Sequence, residues 1–292
     1  MELQQLRYVI AVAETSSFTR AAERCLVVQS ALSHQIARLE RELGARLFER
    51  TSRRVRLTPA GEAFLPAARQ CLEAAERAAA EVAAAVGEVR GRLAVGLIPS
   101  VTAVDVPAAL RAFRVRHPQV RISLRAGASE RLTELVAQGG LDVAFLGLPP
   151  TAPPRGVSAH ELVRDLLVAV VAPTHPLADA TAVDLRALSS EVFVDLPPGT
   201  AGRAQSDLAF AAAGLDRDVA FEVTSADYIA GLVRQDLGIA LLPSRWVPQL
   251  SGVVTVEVTD GPTRVEYVVW GRSTHTPAAA AFLDVLDVPV GG

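Results

Sequence analysis

The chain contains no lysine: all 29 of its basic residues are arginine. That excludes a P-loop lysine, a Schiff-base lysine for pyridoxal phosphate and a kinase-type strand lysine. It also means that an arginine at any one contact reflects the composition of the whole chain as much as a local choice. Cysteine is scarce, with only Cys25 and Cys71, which fits a reduced cytosol better than a disulfide scaffold. Met1-Glu2-Leu3-Gln4 lacks a cationic stretch followed by an apolar one, so no signal peptide is evident. The longest apolar run, Leu166 to Pro173, falls far short of the ~20 residues that a membrane span needs. A cytoplasmic protein without membrane contact is expected.

Catalytic signatures are missing as well. There is no Gly-x-Ser-x-Gly elbow and no Gly-x-Gly-x-x-Gly after a strand. His34, His117, His160, His175 and His275 are scattered without ligand spacing. No catalytic residue, metal site or cofactor is therefore expected, and the chain reads as something other than an enzyme. Two alternatives stay open: an α/β enzyme, or a free solute-binding protein carrying a fortuitous basic N-terminal module.

What is present is length, apolar content and an uneven charge. A chain of 292 residues suggests two or three domains, and half of it is hydrophobic, enough for a large core. Residues 1–58 carry ten Arg against six Glu, a balance of +4, whereas the remainder has a balance of −7. A basic head on an acidic body fits a nucleic-acid-binding module joined to a sensor.

The head reads as three helices and a hairpin. Leu3, Leu6, Val9, Ile10 and Ala13 form one apolar face, and a short helix runs from Phe18 to about Cys25. A third begins near Gln29; its Leu32, Ile36, Leu39 and Leu43 make a core stripe that ends at Gly44. Leu47–Arg50 and Val55–Leu57 predict two short strands around the turn 51–54. Thr58-Pro59 opens a long helix running to about Glu88, with Thr as cap and Pro in the first turn. Along it Phe64, Ala68, Cys71, Ala75, Ala78 and Val82 alternate spacings of four and three, a dimerisation seam or the buried face of a long surface helix. From Gly91 the texture turns to β–α–β–α–β: strands at 93–97, 120–125 and 142–146, helices at 101–116 and 129–138. Further strands are expected at 163–171, 192–195, 238–242 and 265–270. That rhythm predicts a mostly parallel sheet covered by helices.

Opposite its core stripe the third helix carries Gln29, Ser30, Ser33, His34, Ala37 and Arg38. Short polar side chains with few acids let a helix enter a major groove and meet base edges, although an ordinary solvated face has the same texture. The arginines on the following hairpin (Arg50, Arg53, Arg54 and Arg56) and Arg20 on the second helix shift the balance toward duplex DNA.

Several runs together resemble the LysR-type transcriptional regulators: Phe18-Thr19-Arg20-Ala21-Ala22-Glu23, Gln29-Ser30-Ala31-Leu32-Ser33-His34-Gln35-Ile36, Leu39-Glu40-Arg41-Glu42-Leu43-Gly44, Leu47-Phe48-Glu49-Arg50-Thr51 and Leu57-Thr58-Pro59-Ala60-Gly61. Gly91-Arg92-Leu93-Ala94-Val95-Gly96, His175-Pro176-Leu177-Ala178 and Gly238-Ile239-Ala240-Leu241-Leu242-Pro243 extend the resemblance over essentially the whole chain. It implies a winged helix-turn-helix at 1–58 (helix-turn-helix about 18–37), a linker helix at 59–89 and an effector domain at 90–292. The effector domain would be shaped like a type 2 periplasmic binding protein. Its two α/β subdomains would span about 90–163 with 268–292, and about 164–267, with chain crossings near Val163–Asp165 and Arg264–Val268. Base or phosphate contacts then fall to Gln29, Ser30, Ser33 and His34, and the wing contact to Arg53. Val28 stands where the family usually has a capping Ser or Thr, a loss of ~1 kcal/mol. Ser100 and Thr102 after the first strand, and Thr200 and Arg203 after Leu196-Pro197-Pro198-Gly199, would bind a small-molecule coinducer, an organic acid, at helix N-termini; simple helix capping is the competing role. The resemblance also implies partners: promoter DNA, a second and further copies of the chain, and RNA polymerase. Some members sense oxidants through a cysteine pair in the effector domain, but both cysteines here lie outside it.

Overall fold

The computed structural model describes residues 1–50, 55–272 and 276–289. Two compact units divide at Glu88/Val89.

The first unit, Met1–Glu88, holds α1 (Leu3–Thr15), α2 (Phe18–Arg24), α3 (Gln29–Leu43), the hairpin β1 (Phe48–Arg50) and β2 (Val55–Leu57), and α4 (Pro59–Ala85). Its core is the expected stripe: Leu32, Ile36 and Leu39 are fully buried with Val9, Val12, Ala21 and Phe48, and Phe18 meets Phe48 edge to face at 5.7 Å. Leu43 departs from expectation and is exposed, since the helix ends one residue later at Gly44 in the left-handed region. The Ser17 side chain caps α2, accepting from the Arg20 N–H at 3.3 Å, while α3 starts at Val28 with no side-chain cap. Glu40 compensates at the other end of α3 by accepting from the N–H groups of Leu47 and Phe48 at 2.8 and 3.2 Å, which fixes the hairpin. Thr58 caps α4 through the Gly61 N–H at 3.0 Å.

The proposed α4 seam is divided by this packing. α1 and α4 pack on each other, Phe64 rests on the unit's own core and Ala68 is buried. Ala75 is half-buried, whereas Cys71, Ala78 and Val82 are exposed. Phe64 is thus part of the head's own core, because the first turns of α4 use their apolar stripe against α1.

The second unit, Val89–Gly292, is built on one sheet with strand order β4-β3-β5-β12-β6-β11-β7, and β10 also pairs with β6. Its strands are β3 (Gly91–Leu97), β4 (Val120–Ala126), β5 (Val143–Leu148), β6 (Ser158–Val171), β7 (Ala182–Val183), β8 (Val192–Asp195), β9 (Asp218–Glu222), β10 (Ala240–Pro243), β11 (Val254–Val258) and β12 (Thr263–Trp270). β8 and β9 form a separate parallel pair. The helices are α5 (Val106–Arg116), α6 (Ser129–Ala137), α7 (Leu185–Leu188), α8 (Ala201–Ala212), α9 (Ala226–Arg234) and α10 (Pro277–Val285). The sheet is mixed rather than mostly parallel: β3 runs parallel to β4 and β5, but β12 and β6 are antiparallel to their neighbours. β6 pairs with β12 from Ser158 to Leu166 and with β10 and β11 from Leu167 onward, so one strand carries the chain between two halves. Thr263 and Arg264 of β12 pair with β6 alone and β5 joins from Val265 to Trp270, so the return falls at the start of β12, at the upstream edge of the expected 264–268. Each half has apolar clusters on both faces, the first around Phe113 and Phe282 and around Leu132 and Val265, the second around Phe193 and Phe210 and around Ile229 and Trp246.

One tight approach in the first unit is open to test. A Cβ on Gly61 would sit 2.1 Å from the Leu47 carbonyl oxygen, so only glycine lets the first turn of α4 lie on the hairpin backbone. Gly61→Ala should therefore lower stability by about 1–3 kcal/mol, read as a fall in Tm; an unchanged melting curve would show that α4 can shift freely.

Candidate functional site

The exposed face of α3 offers a row of short polar groups. Gln29, Ser30, His34 and Arg38 are exposed and Ser33 is half-buried, on the opposite side from fully buried Leu32, Ile36 and Leu39. Arg38 reaches Glu2 at 3.7 Å. Arg20 turns back so that its guanidinium donates to the Thr15 carbonyl at 2.5 Å, closing the end of α1 onto α2. Arg53 and Arg54 lie outside the described residues. Cys25, beside this core, is half-buried, and burial pushes its thiol up; Cys71 is exposed.

In the second unit a cavity of about 320 Å³ opens at the carboxyl ends of the parallel strands, where β3, β4 and β5 face the loop after β8 and the end of β9. Such crevices are where α/β folds bind small molecules. Its walls are mainly apolar, with Ile98, Pro99, Leu196 and Pro197 among them. Ser100 and Thr200, both expected at the site, line it. Thr200 caps α8, accepting from the Arg203 N–H at 3.4 Å and donating to the Pro197 carbonyl at 2.9 Å. α6 also starts at the cavity, and its first residue is preceded by Ala128, which supplies no side-chain cap.

Thr102 and Arg203 require correction. The helix expected from 101 begins at Val106 instead, because Asp105 caps it through the Ala108 N–H at 3.0 Å; Ser100 and Thr102 therefore sit in the preceding loop and not at a helix N-terminus. The Thr102 hydroxyl and amide are committed to the Glu266 carboxylate, as is the Ala103 amide at 3.0 Å. The Arg203 guanidinium is taken up by Asp207 at 3.0 Å, Glu222 at 3.4 Å and the Leu196 carbonyl at 3.2 Å, with Asp195 at 3.9 Å. It fastens the β8–α8 loop from outside instead of facing the cavity.

The residue that sequence reasoning missed is Arg264. Among the described residues lining the cavity it is the only charged one, and it is 3% exposed. Its guanidinium donates to the Ser100 hydroxyl at 2.8 Å and the Ser100 carbonyl at 2.9 Å, pairs with Glu266, and lies 3.9 Å from Asp165. Asp165 in turn accepts from the Ser244 hydroxyl at 2.7 Å and the Leu166 N–H at 2.9 Å. Burial works to lower the Arg264 pKa, while Glu266 and Asp165 act to hold its charge. Gly147 gives this group its room: a Cβ there would come within 2.9 Å of Ile98 and 3.4 Å of the guanidinium. Arg264-x-Glu266 on an apolar strand was visible as two charges on one face, but the loop residues Ser100 and Thr102 that meet Arg264 lie 164 and 162 residues away.

A helix-turn-helix with an exposed polar third helix, in a chain that also carries an α/β unit with a largely apolar crevice at its strand ends, defines a ligand-responsive transcription regulator. Residues 3–62 match the bacterial regulatory helix-turn-helix protein family, lysR type, and residues 87–288 match the LysR substrate binding domain. The chain belongs to the LysR family. It is 34% identical over 258 residues to the transcriptional dual regulator GltC of Bacillus subtilis, covering 88% of this chain and 86% of that protein. It is 32% identical over 291 residues to the Hca operon transcriptional activator HcaR of Escherichia coli, covering 98% and 97%. Among solved structures, full-length CbnR complexed with its target DNA has a TM-score of 0.74 at 26% identity, over 98% of this chain and 99% of that one. No helix among the described residues is long and apolar enough to cross a membrane, and none of their acidic, histidine and cysteine side chains gather into a metal-binding group.

Removing the guanidinium would leave two buried carboxylates without a counter-charge. Arg264→Ala should destabilise the second unit by about 3–5 kcal/mol near neutral pH. Unpaired buried carboxylates take up protons more readily when folded, so the deficit should shrink as pH falls. A deficit in Tm that is the same at pH 5 and pH 8 would contradict this charge balance.

Proposed function

We propose that the first unit binds promoter DNA through the exposed face of α3, and that the cavity of the second unit takes a small organic acid that controls transcription. The polar stretch of α3 from Gln29 to Arg38, which holds no acidic residue, carries the first half of this reading. Gln29, Ser30 and His34 supply donors and acceptors for base edges, and Arg20, Arg38, Arg53 and Arg54 supply phosphate contacts. The solved likeness to CbnR on its target DNA supports the same docking. For the second half, the uncapped first turn of α6 and the first turn of α8 bring free N–H groups and positive dipole ends to the cavity, where a carboxylate is favoured. Apolar walls suit the body of such a ligand.

Self-association along α4 goes with this reading, because Val82 in its last turn and Val86 at its C-cap are 68% and 75% exposed. A dimer, or a tetramer of two dimers, would present two recognition helices to two half-sites, and ligand binding would change their spacing. RNA polymerase is the further partner that such control calls for.

Retention of the protein's own upstream DNA fragment at low ionic strength tests the first half. Gln29→Ala and His34→Ala should each weaken binding by about 1–3 kcal/mol, roughly 5–150-fold, with helix content unchanged. A folded protein that fails to retain the fragment would end the regulator reading of α3. For the cavity, a set of carboxylic acids should raise Tm in the wild type and do so less when Ser100→Ala and Thr200→Val are combined; an undiminished shift would place the ligand elsewhere.

A further inference from the structure

Behind the one charged side chain among the described residues lining the cavity lies a buried carboxylate of the protein itself. Glu266 is 1% exposed and sits behind Arg264, and it occupies the donors of the β3–α5 loop: the Thr102 amide at 3.0 Å, the Ala103 amide at 3.0 Å and the Thr102 hydroxyl. Arg264 is the only cation lining the cavity among the described residues, and it is matched against two buried carboxylates, Glu266 and Asp165. One guanidinium and two carboxylates leave the floor with no positive charge to spare. Its Nε is buried and has no hydrogen-bond partner among the described residues.

We infer that Glu266 sets the charge of the ligand: the cavity admits acids carrying one negative charge and rejects those carrying two. This rests on the organic-acid reading above and specifies which acids. A single carboxylate is received at the first turns of α6 and α8 beside Ser100 and Thr200. A second carboxylate on the same molecule has two places to go. It meets the apolar wall of Ile98, Pro99, Leu196 and Pro197, where an ion loses its hydration without compensation. Otherwise it meets the Arg264 cluster, where Glu266 and Asp165 repel it. Both are unfavourable, and the second is imposed by residues of this chain alone.

The test is a matched pair of probes that differ only in the second charge: adipate and its monomethyl ester, titrated calorimetrically into the full chain. The monoester should bind at least about tenfold more tightly, ~1.4 kcal/mol. In Glu266→Gln one of the two opposing carboxylates is removed and the excess negative charge of the floor with it, so the difference should fall below about threefold, mainly because adipate improves. That ratio is insensitive to a general loosening of the cavity, which would weaken both probes together. Equal or tighter binding of adipate to the wild type overturns the inference, and so does an unchanged ratio in folded Glu266→Gln. If that variant does not fold, the wild-type ratio decides alone. Binding of neither probe overturns the carboxylate reading of the cavity and this inference with it, whereas binding of both without discrimination removes only the inference.

Discussion

Burying a guanidinium together with two carboxylates costs several kcal/mol per ion before any attraction is counted. The Arg264, Glu266 and Asp165 cluster is tolerable only because every segment around it contributes a hydrogen bond. The β3–α5 loop gives the Ser100 hydroxyl and carbonyl and the Thr102 and Ala103 amides; the end of β10 gives Ser244; β6 gives the Leu166 amide. Each donor has to be held in place for the cluster to exist. The loop that floors the cavity, the strand that crosses between the two halves and the strand that returns are thereby fixed against one another. The rest of the site inherits its geometry from that requirement.

A second ion network fastens the opposite wall. Arg217 lies buried between Asp195 at 2.7 Å and Asp207 at 2.6 Å, with its guanidinium over the rings of Phe193 and Phe210 at 5.2 and 5.7 Å. Arg203 adds Asp207, Glu222 and the Leu196 carbonyl, so the β8–α8 loop is tied to β9 and α8 at once. Burial pushes the Asp195 carboxyl up, and the pull of Arg217 in the other direction does not fully offset it. The wall carrying Leu196, Pro197 and Thr200 is therefore rigid for reasons that lie outside the cavity. That explains why Arg203, next to the site in sequence, is absent from its lining: its charge is consumed in holding the loop.

The first unit uses the opposite economy. Its order comes from apolar packing around Leu32, Ile36, Leu39, Phe18 and Phe48, with charge confined to the rim, where Glu40 anchors the hairpin through backbone N–H groups. A well-packed apolar interior leaves the fold of this unit independent of the polar face of α3, where Arg38 reaches Glu2 at 3.7 Å. Side chains on that face can therefore change without disturbing the core opposite them.

Much of this was legible in the residues alone, because helices and strands announce themselves through periods of 3.6 and 2. The three head helices, the hairpin, the long α4 and the early strands of the second unit follow from spacing, caps and turn residues, and the polar face of α3 follows from the stripe opposite it. Side-chain commitments were not legible. Thr102 reads as a ligand contact until Glu266 takes its hydroxyl; Phe64 reads as a seam residue until α1 covers it; Arg264 reads as one arginine among many. Local periodicity records which face a residue turns inward, and that depends on neighbours within a turn or two. Which partner it meets there depends on strands brought together from 160 residues apart, and only the folded chain decides that.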